Sequence, residues 1–120
     1  MSRGRQSRNW CFTLNNWTAQ EKEILLSTVC TYVVIGEEVG ENGTPHLQGY
    51  FNFASNKRLA AVRGISDRAH WEVARGDSKS NFDYCTKDGN FQEKGTRRKT
   101  RAENTLDQNE KWKDFIRAAR

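Results

Sequence analysis

The chain has 120 residues and a formal net charge of +5, and hydrophobic residues make up 35% of it. This length suits one small domain with its own core. No apolar run approaches the ~20 residues of a membrane-spanning helix, so no membrane partner is expected. The three cysteines form no C-x-x-C pair, which argues for free thiols and against structural zinc.

The positive charge is concentrated at the two ends of the chain. Residues 1–9 hold three basic and no acidic residues, residues 10–90 hold eight basic and ten acidic, and residues 91–120 hold nine and five. Lysine and arginine neutralise phosphates, so basic flanks favour a polyanionic partner. Solvated, disordered tails would produce the same distribution.

The first half of the chain predicts strand, helix and hairpin in that order. Alternating apolar residues predict a strand at 8–14. Thr18-Ala19-Gln20-Glu21 has the form of a capping box, so a helix should follow to about Ser27 and bury Ile24 and Leu25. A β-branched strand at 32–35 should end in Gly36-Glu37-Glu38, and a glycine-rich turn should lead into a hairpin strand at 45–53.

The second half predicts three shorter elements before a basic tail. We expect a helix at 56–62, a strand at 70–75, and a helix that Asp77 or Ser78 caps and that runs to about Lys87. A short edge strand is expected at 90–93. The order β-α-β-β-α-β-α-β predicts an α+β domain, in which helices cover one face of an antiparallel, about five-stranded sheet and the other face stays open for ligand.

The last part of the chain is predicted to be a basic linker followed by an amphipathic helix at 106–119. The predicted apolar stripe has no obvious partner within the domain and consists of Trp112, Phe115, Ile116 and Ala119. We therefore expect this chain to stop inside a longer protein, in which the stripe would serve oligomerisation. The expected organisation is a basic tail at 1–7, the folded domain at 8–95, and the linker and helix at 96–120.

The strand at 45–53 carries the first candidate chemistry. His46 and Gln48 are two residues apart, so their side chains share one face of the strand at roughly 7 Å between backbones. Glu37 or Glu38 ends the neighbouring strand, and strand parity alone does not decide which carboxylate points to that face. A carboxylate, an imidazole and an amide oxygen suit Mg²⁺ or Mn²⁺ better than Zn²⁺. An ordinary strand with a polar solvent face is the alternative.

The third predicted helix carries the second candidate chemistry. Tyr84 and Lys87 are three residues apart and should share one helix face. A tyrosine beside a cation is a candidate nucleophile, because a phenol attacks poorly unless a neighbour activates it. A plain helix surface would show the same spacing.

Three motifs together resemble one family. They are Cys11-Phe12-Thr13-Leu14-Asn15-Asn16, Pro45-His46-Leu47-Gln48-Gly49-Tyr50 and Tyr84-Cys85-Thr86-Lys87-Asp88-Gly89. Over residues 8–95 the chain resembles the N-terminal HUH endonuclease domain of replication-initiator (Rep) proteins of circovirus-like single-stranded DNA viruses. This resemblance implies the RRM/ferredoxin-like HUH endonuclease fold. It favours Glu38 as the carboxylate ligand, with His46 and Gln48, of a Mn²⁺ or Mg²⁺ ion.

The resemblance also implies an activity. Tyr84 would nick single-stranded DNA in the loop of a viral origin hairpin, remain joined to the new 5′ end, and allow later rejoining, with Lys87 positioning the phosphate. Rolling-circle replication would start from the 3′-OH, in the host nucleus. Asn15 and Asn16 are expected to contact DNA. By charge alone, further candidate phosphate contacts are Lys57, Arg58, Arg75 and Lys79.

Several single residues have other expected roles. Trp10 and Tyr50 are candidates for stacking on bases, although a core position is favoured for Trp10. Cys85 is expected to pack rather than react. His70 is expected to be a polar residue of the sheet rather than a metal ligand. No phosphate-binding G-x-x-x-x-G-K-[ST] motif is present, so nicking and joining are expected without ATP hydrolysis.

Two rival functions remain open from the sequence. Gly49-Tyr50-Phe51-Asn52-Phe53 loosely resembles the aromatic strand of an RNA-recognition motif, which would make the chain a binding module without catalysis. A metal-dependent nuclease with a water nucleophile would need no tyrosine. Covalent capture of DNA separates both rivals from the nickase.

Overall fold

The computed structural model describes residues 5–99 and residue 103. Its elements are β1 (Gln6–Asn15), α1 (Ala19–Leu26), β2 (Tyr32–Val39), β3 (Pro45–Arg58), α2 (Leu59–Arg63), β4 (His70–Val73), α3 (Ser78–Cys85) and β5 (Phe91–Gly95). The five strands form one sheet in the order β4-β1-β3-β2-β5, and every neighbouring pair is antiparallel. The predicted α+β fold with a five-stranded antiparallel sheet is confirmed.

The two faces of the sheet are packed by different helices. Period-two alternation sends Phe12 and Phe51 to a large core that Leu25 of α1 and Val62 of α2 complete. The opposite face packs a smaller cluster, in which Tyr50 lies against Cys85 of α3. The sequence predicts that this second face stays open for ligand. In the structure α3 covers part of it, because β2 also carries apolar residues on that side.

Several element boundaries differ from the prediction. β3 continues to Arg58, where a helix was predicted from residue 56, because Ser7 and Gln6 of β1 pair with Lys57 and Arg58. This long-range pairing is not visible in the local pattern. The third helix ends at Cys85 rather than near Lys87, and Gly89, with φ of 80°, closes the following turn. β2 extends through the two glutamates to Val39.

The first helix starts as predicted. The Thr18 hydroxyl accepts from the backbone N–H of Glu21 at 3.1 Å, and the Glu21 carboxylate accepts from the N–H of Thr18 at 3.0 Å. Both halves of the capping box are therefore present. Leu25 is buried as expected, whereas the expectation for Ile24 is wrong, since 49% of it is exposed. α1 turns a single narrow stripe toward the sheet, and Ile24 lies beside that stripe.

The predicted C-terminal helix at 106–119 lies outside the described residues. In the part of the chain that the structure does describe, no helix is long and apolar enough to cross a membrane.

Candidate active site

Three charged or titratable side chains meet where β2 and β3 form their hairpin. Glu38 and His46 are register partners, and Glu38 Oε1 lies 3.0 Å from His46 Nε2. The other oxygen of the same carboxylate accepts a hydrogen bond from Lys87 Nζ at 2.6 Å. Only 7% of the Glu38 side chain is exposed, so the carboxylate is stabilised by these two partners rather than by water. Glu37 points to the opposite face, where it pairs with Lys22 at 2.9 Å.

Gln48 lies on the same face, and its amide orientation is set by two hydrogen bonds. Its Nε2 donates to the carbonyl oxygen of Phe12 at 3.2 Å, and a carbonyl can only accept. Its Oε1 then faces the Thr13 hydroxyl, which donates to it at 3.0 Å. Gln48 is two residues from His46 on β3, so the imidazole, the carboxylate and the amide oxygen occupy one corner of the sheet.

Tyr84 stands at the edge of this corner, near the end of α3. More than half of the residue, 54%, is exposed, so its hydroxyl is open to a substrate. Lys87 Nζ lies 4.0 Å from the centre of the Tyr84 ring while it also contacts Glu38. Partial burial lowers the pKa of Lys87, but the hydrogen bond from its ammonium to the Glu38 carboxylate and the nearby negative charges, of which Glu38 is the strongest, together raise the pKa above its ordinary value. Lys87 is therefore a fixed positive charge between the tyrosine and the carboxylate.

Two residues outside the predicted set hold α3 on the sheet. Asn81 is buried, and its amide donates to the carbonyls of Arg75 and Asp77 at 2.9 and 2.8 Å while its oxygen lies 3.0 Å from Cys11 Sγ. Gly36 lies directly beneath the helix end, where a Cβ atom would come within 1.9 Å of the Cys85 carbonyl oxygen. These contacts determine where Tyr84 stands relative to Gln48.

An open cleft runs from Tyr84 across the sheet to β4. It has a volume of about 430 Å³, and Thr13, Gln48, Asn81 and Arg75 contribute to its walls. Arg75, predicted as a phosphate contact, is thus brought beside Tyr84. The cleft joins the exposed phenol of Tyr84, the guanidinium of Arg75 and the amide of Gln48, the member of the corner that lines it, in one concave surface.

The donor set of this corner fits a hard divalent cation. In the described residues no group of three His, Cys, Asp or Glu side chains forms a metal cluster. The corner instead offers the Glu38 carboxylate, the His46 nitrogen and the Gln48 amide oxygen. An oxygen-rich set with one nitrogen suits Mg²⁺ or Mn²⁺. Glu38, the buried carboxylate of the set, accepts a hydrogen bond from the Lys87 ammonium, so one of its oxygens already faces a cation.

The other candidate DNA contacts are not gathered at this corner. Lys57 and Arg58 lie at the far end of β3, roughly 35 Å along the strand from His46. Lys79 is exposed on α3 and pairs with Asp83 at 2.9 Å. The structure therefore separates Lys57 and Arg58 from Tyr84, whereas Lys79 lies on the same helix as Tyr84.

Asn15 and Asn16 lie at the end of β1, close to the hairpin. Asn15 is the register partner of His46, and both asparagines are exposed. Asn16 adopts a left-handed φ of 52°, and Arg68 donates to both backbone carbonyls at 3.2 Å. Their amide side chains remain available at the same end of the sheet as Glu38.

The structure also places the remaining singled-out residues. Trp10 and Tyr50 are both buried, so neither ring is open for stacking, and burial raises the pKa of Tyr50 to about 12. Cys85 is buried as expected, and desolvation raises the pKa of its thiol to about 12. His70 pairs with Glu72 at 3.0 Å and lies two strands, roughly 10 Å, from Gln48. His70 is not part of the metal corner.

Comparison with known proteins identifies the family. The family described as "Putative viral replication protein" matches residues 7–88. The chain belongs to this viral replication protein family.

Three curated relatives of the chain show how similar their sequences are and how much of each protein the similarity covers. The chain is 46% identical over 87 residues to the replication-associated protein of Pigeon circovirus, a match covering 70% of this chain and 27% of that protein. It is 48% identical over 89 residues to the replication-associated protein of Beak and feather disease virus, covering 72% and 31%. It is 41% identical over 87 residues to Para-Rep C2 of Subterranean clover stunt C2 alphasatellite, covering 68% and 31%. The chain thus spans about three-tenths of the length of these relatives.

Proposed function

We propose that this domain is a sequence-specific single-stranded DNA nickase and strand transferase that initiates rolling-circle replication at a viral origin stem-loop in the host nucleus. The observation that carries this proposal is the convergence of an exposed tyrosine, a fixed lysine and the Glu38, His46 and Gln48 corner on one face of the sheet. The family of viral replication proteins supports the same role.

The proposed chemistry is a phosphoryl transfer to the tyrosine. The Tyr84 oxygen attacks the scissile phosphorus and loses its proton to solvent, while the bond from phosphorus to O3′ breaks and O3′ takes up a proton. The products are a 5′-phosphotyrosine and a free 3′-OH. One phosphoester replaces another, so bond energy is retained and a later 3′-OH can reverse the step without ATP.

The charges of the corner suit this reaction. The Lys87 ammonium, 4.0 Å from the Tyr84 ring, would stabilise negative charge on the phosphate as the bond to the tyrosine forms. When bound by Glu38, His46 and Gln48, a Mg²⁺ or Mn²⁺ ion would supply Lewis-acid polarisation of the scissile phosphate. Arg75 on the cleft wall would hold the DNA backbone.

A denaturing gel tests the proposal directly. Labelled single-stranded DNA with a circovirus-type origin stem-loop would be incubated with the protein and Mn²⁺, or with EDTA, and with the Tyr84→Phe variant. A protein-DNA band that needs metal and disappears in the variant is expected. Tyr50→Phe is the matched control, since it removes a buried hydroxyl from the same sheet face and should keep the band.

Other outcomes would contradict the proposal in different ways. Metal-dependent cleavage without an adduct would indicate a water nucleophile. Binding without cleavage across a panel of origin loops would indicate the RRM-like binding module instead.

A further inference from the structure

One acidic side chain lies in the cleft beside Tyr84 and has no role in the proposed reaction. Glu72 is on β4, directly opposite Cys11 of β1, and it lines the same cleft as Tyr84 and Arg75. Trp71 points into the core, so the alternation of β4 sends Glu72 to the face that carries Gln48. A carboxylate here repels the phosphates of a DNA strand. Any favourable contact of Glu72 with DNA must therefore be to a base rather than to the phosphate backbone.

The surroundings leave Glu72 able to accept a further hydrogen bond. Its side chain is 69% exposed, and one oxygen, Oε1, lies 3.0 Å from His70 Nε2. Within residues 5–99, no hydrogen bond is made to the second oxygen. His70 contacts the Glu72 carboxylate through Oε1, which leaves the second oxygen of this largely exposed side chain able to accept a hydrogen bond.

A carboxylate distinguishes among bases because it only accepts hydrogen bonds. Cytosine, adenine and guanine each carry an exocyclic amino group that can donate to it. Thymine has no amino group, and its N3–H is flanked by two carbonyl oxygens that repel a negative charge. In a single strand these base edges are unpaired and open to side chains.

We propose that Glu72 is a specificity-determining residue that accepts a hydrogen bond from the amino group of a base next to the scissile phosphate, and so disfavours thymine there. Arg75, in the same cleft, contacts the adjoining phosphate. A cleft of about 430 Å³ has the size of a small-ligand site and accommodates about one nucleotide. This inference rests on the proposed nickase function.

Covalent capture from a randomised library tests the base preference. A stem-loop DNA library with a fully randomised loop would be incubated with Mn²⁺ and the 120-residue chain, and the DNA joined to protein would be sequenced. The wild type, Glu72→Gln and Glu23→Gln would be compared. Glu23 is exposed on α1, which packs on the opposite face, so its variant makes the same charge change away from the cleft.

In DNA captured by the wild type, we expect thymine to be depleted roughly tenfold at one position next to the nick. This is the discrimination that one good polar contact to a base provides. Glu72→Gln should reduce that depletion to below about twofold, because a glutamine amide can also donate to the thymine carbonyls. Glu23→Gln should keep the wild-type profile. Equal melting temperatures would show that both variants fold normally.

Two results would overturn the inference, and they are distinguishable. Captured DNA with the same base profile for wild type and Glu72→Gln, even with a higher yield for the variant, would mean that Glu72 only repels phosphates. Absence of any captured DNA from the wild-type protein would contradict the nickase itself, and the inference would fall with it.

Discussion

Replacing Gly36 by alanine should displace Tyr84, the proposed nucleophile, without removing any chemical group from the candidate site. Gly36 lies in β2 between Gln48 of β3 and Phe91 of β5, under the end of α3. An alanine Cβ at this position would lie 1.9 Å from the carbonyl oxygen of Cys85, the residue after Tyr84. The obstructing atom belongs to the backbone, so no side-chain rotation relieves the clash.

The size of the displacement follows from the contact distances. An ordinary contact is at least 3.4 Å, so the Cys85 carbonyl must retreat by about 1.5 Å. Overpacking of this kind costs about 2 kcal/mol, which lowers Tm by about 10 °C in a domain of this size. Tyr84 moves with the helix end, and a misplacement of about 1 Å costs roughly 100-fold in rate.

Single-turnover adduct formation and thermal unfolding measure the two effects. The rate would be followed on a denaturing gel with excess protein, Mn²⁺ and an origin stem-loop, well below the Tm of the variant. Gly40→Ala is the matched control, because a Cβ there meets only the Thr44 carbonyl oxygen at an ordinary 3.7 Å. We expect a roughly 100-fold slower reaction for Gly36→Ala and an unchanged rate for Gly40→Ala.

A Gly36→Ala protein that matches Gly40→Ala in both Tm and adduct rate would refute the reasoning. It would mean that α3 does not approach β2 as closely as described. A lower Tm with a normal rate would show that the helix end moves without carrying Tyr84 out of position.

Three further changes probe the ligands and the DNA path. Lys87→Met removes the ion pair to Glu38, in which the lysine side chain is 42% exposed. Because Glu38 then no longer pairs with an ammonium, the free energy of Mn²⁺ binding should improve by about 1 kcal/mol, or roughly fivefold in affinity, by calorimetry without DNA. Adduct formation should become slower. Weaker Mn²⁺ binding would contradict this. Thr13→Val removes the hydroxyl that donates to the Gln48 amide oxygen, so Mn²⁺ affinity should fall roughly tenfold. Thr13→Ser keeps a hydroxyl and should restore the affinity. A valine variant that binds Mn²⁺ as tightly as the wild type would show that Thr13 does not position Gln48 for the metal. Arg75→Gln should weaken single-stranded DNA binding about equally for all loop sequences and lower the salt slope by about one, whereas an unchanged slope would remove Arg75 from the DNA path.

Much of the architecture follows from local sequence pattern. Alternation at Trp10, Phe12 and Leu14 placed these residues on one buried face, and the capping box at Thr18 marked the start of α1. These features are predictable because strand parity and helix capping depend on residues only two or three positions apart. The element order and type followed from the same short-range signals.

Strand ends and helix placement were less predictable. The continuation of β3 to Arg58 depends on pairing with Gln6, more than 50 residues earlier. The position of α3 on the second face depends on Cys85 packing against Tyr50. Both are long-range contacts, so the local pattern around residue 56 or residue 85 carries no record of them.

The candidate site also has one part that the sequence predicts and another part that depends on long-range contacts. From the sequence by itself, His46, Gln48 and Tyr84 are predicted as candidate site residues, through their spacing and through the resemblance of their motifs to a family. Strand parity left Glu37 and Glu38 open and the family resemblance favoured Glu38, but only the tertiary structure shows that Glu38 stands beside His46, and only it reveals the contact of Thr13 with Gln48. The face of the sheet to which a side chain points at a strand end depends on the cross-strand register, and this register is determined by the packing of whole strands.

The contacts made by Lys87 and Glu72 show most clearly what the local sequence does not reveal. Lys87 meets Glu38 across 49 positions of sequence, and Glu72 enters the cleft of Tyr84 because β4 pairs with β1 at the edge of the sheet. Residue type and local spacing determine which groups are available for chemistry. Which of them meet is decided by how closely a helix can approach the sheet, and here a glycine in β2 permits that approach.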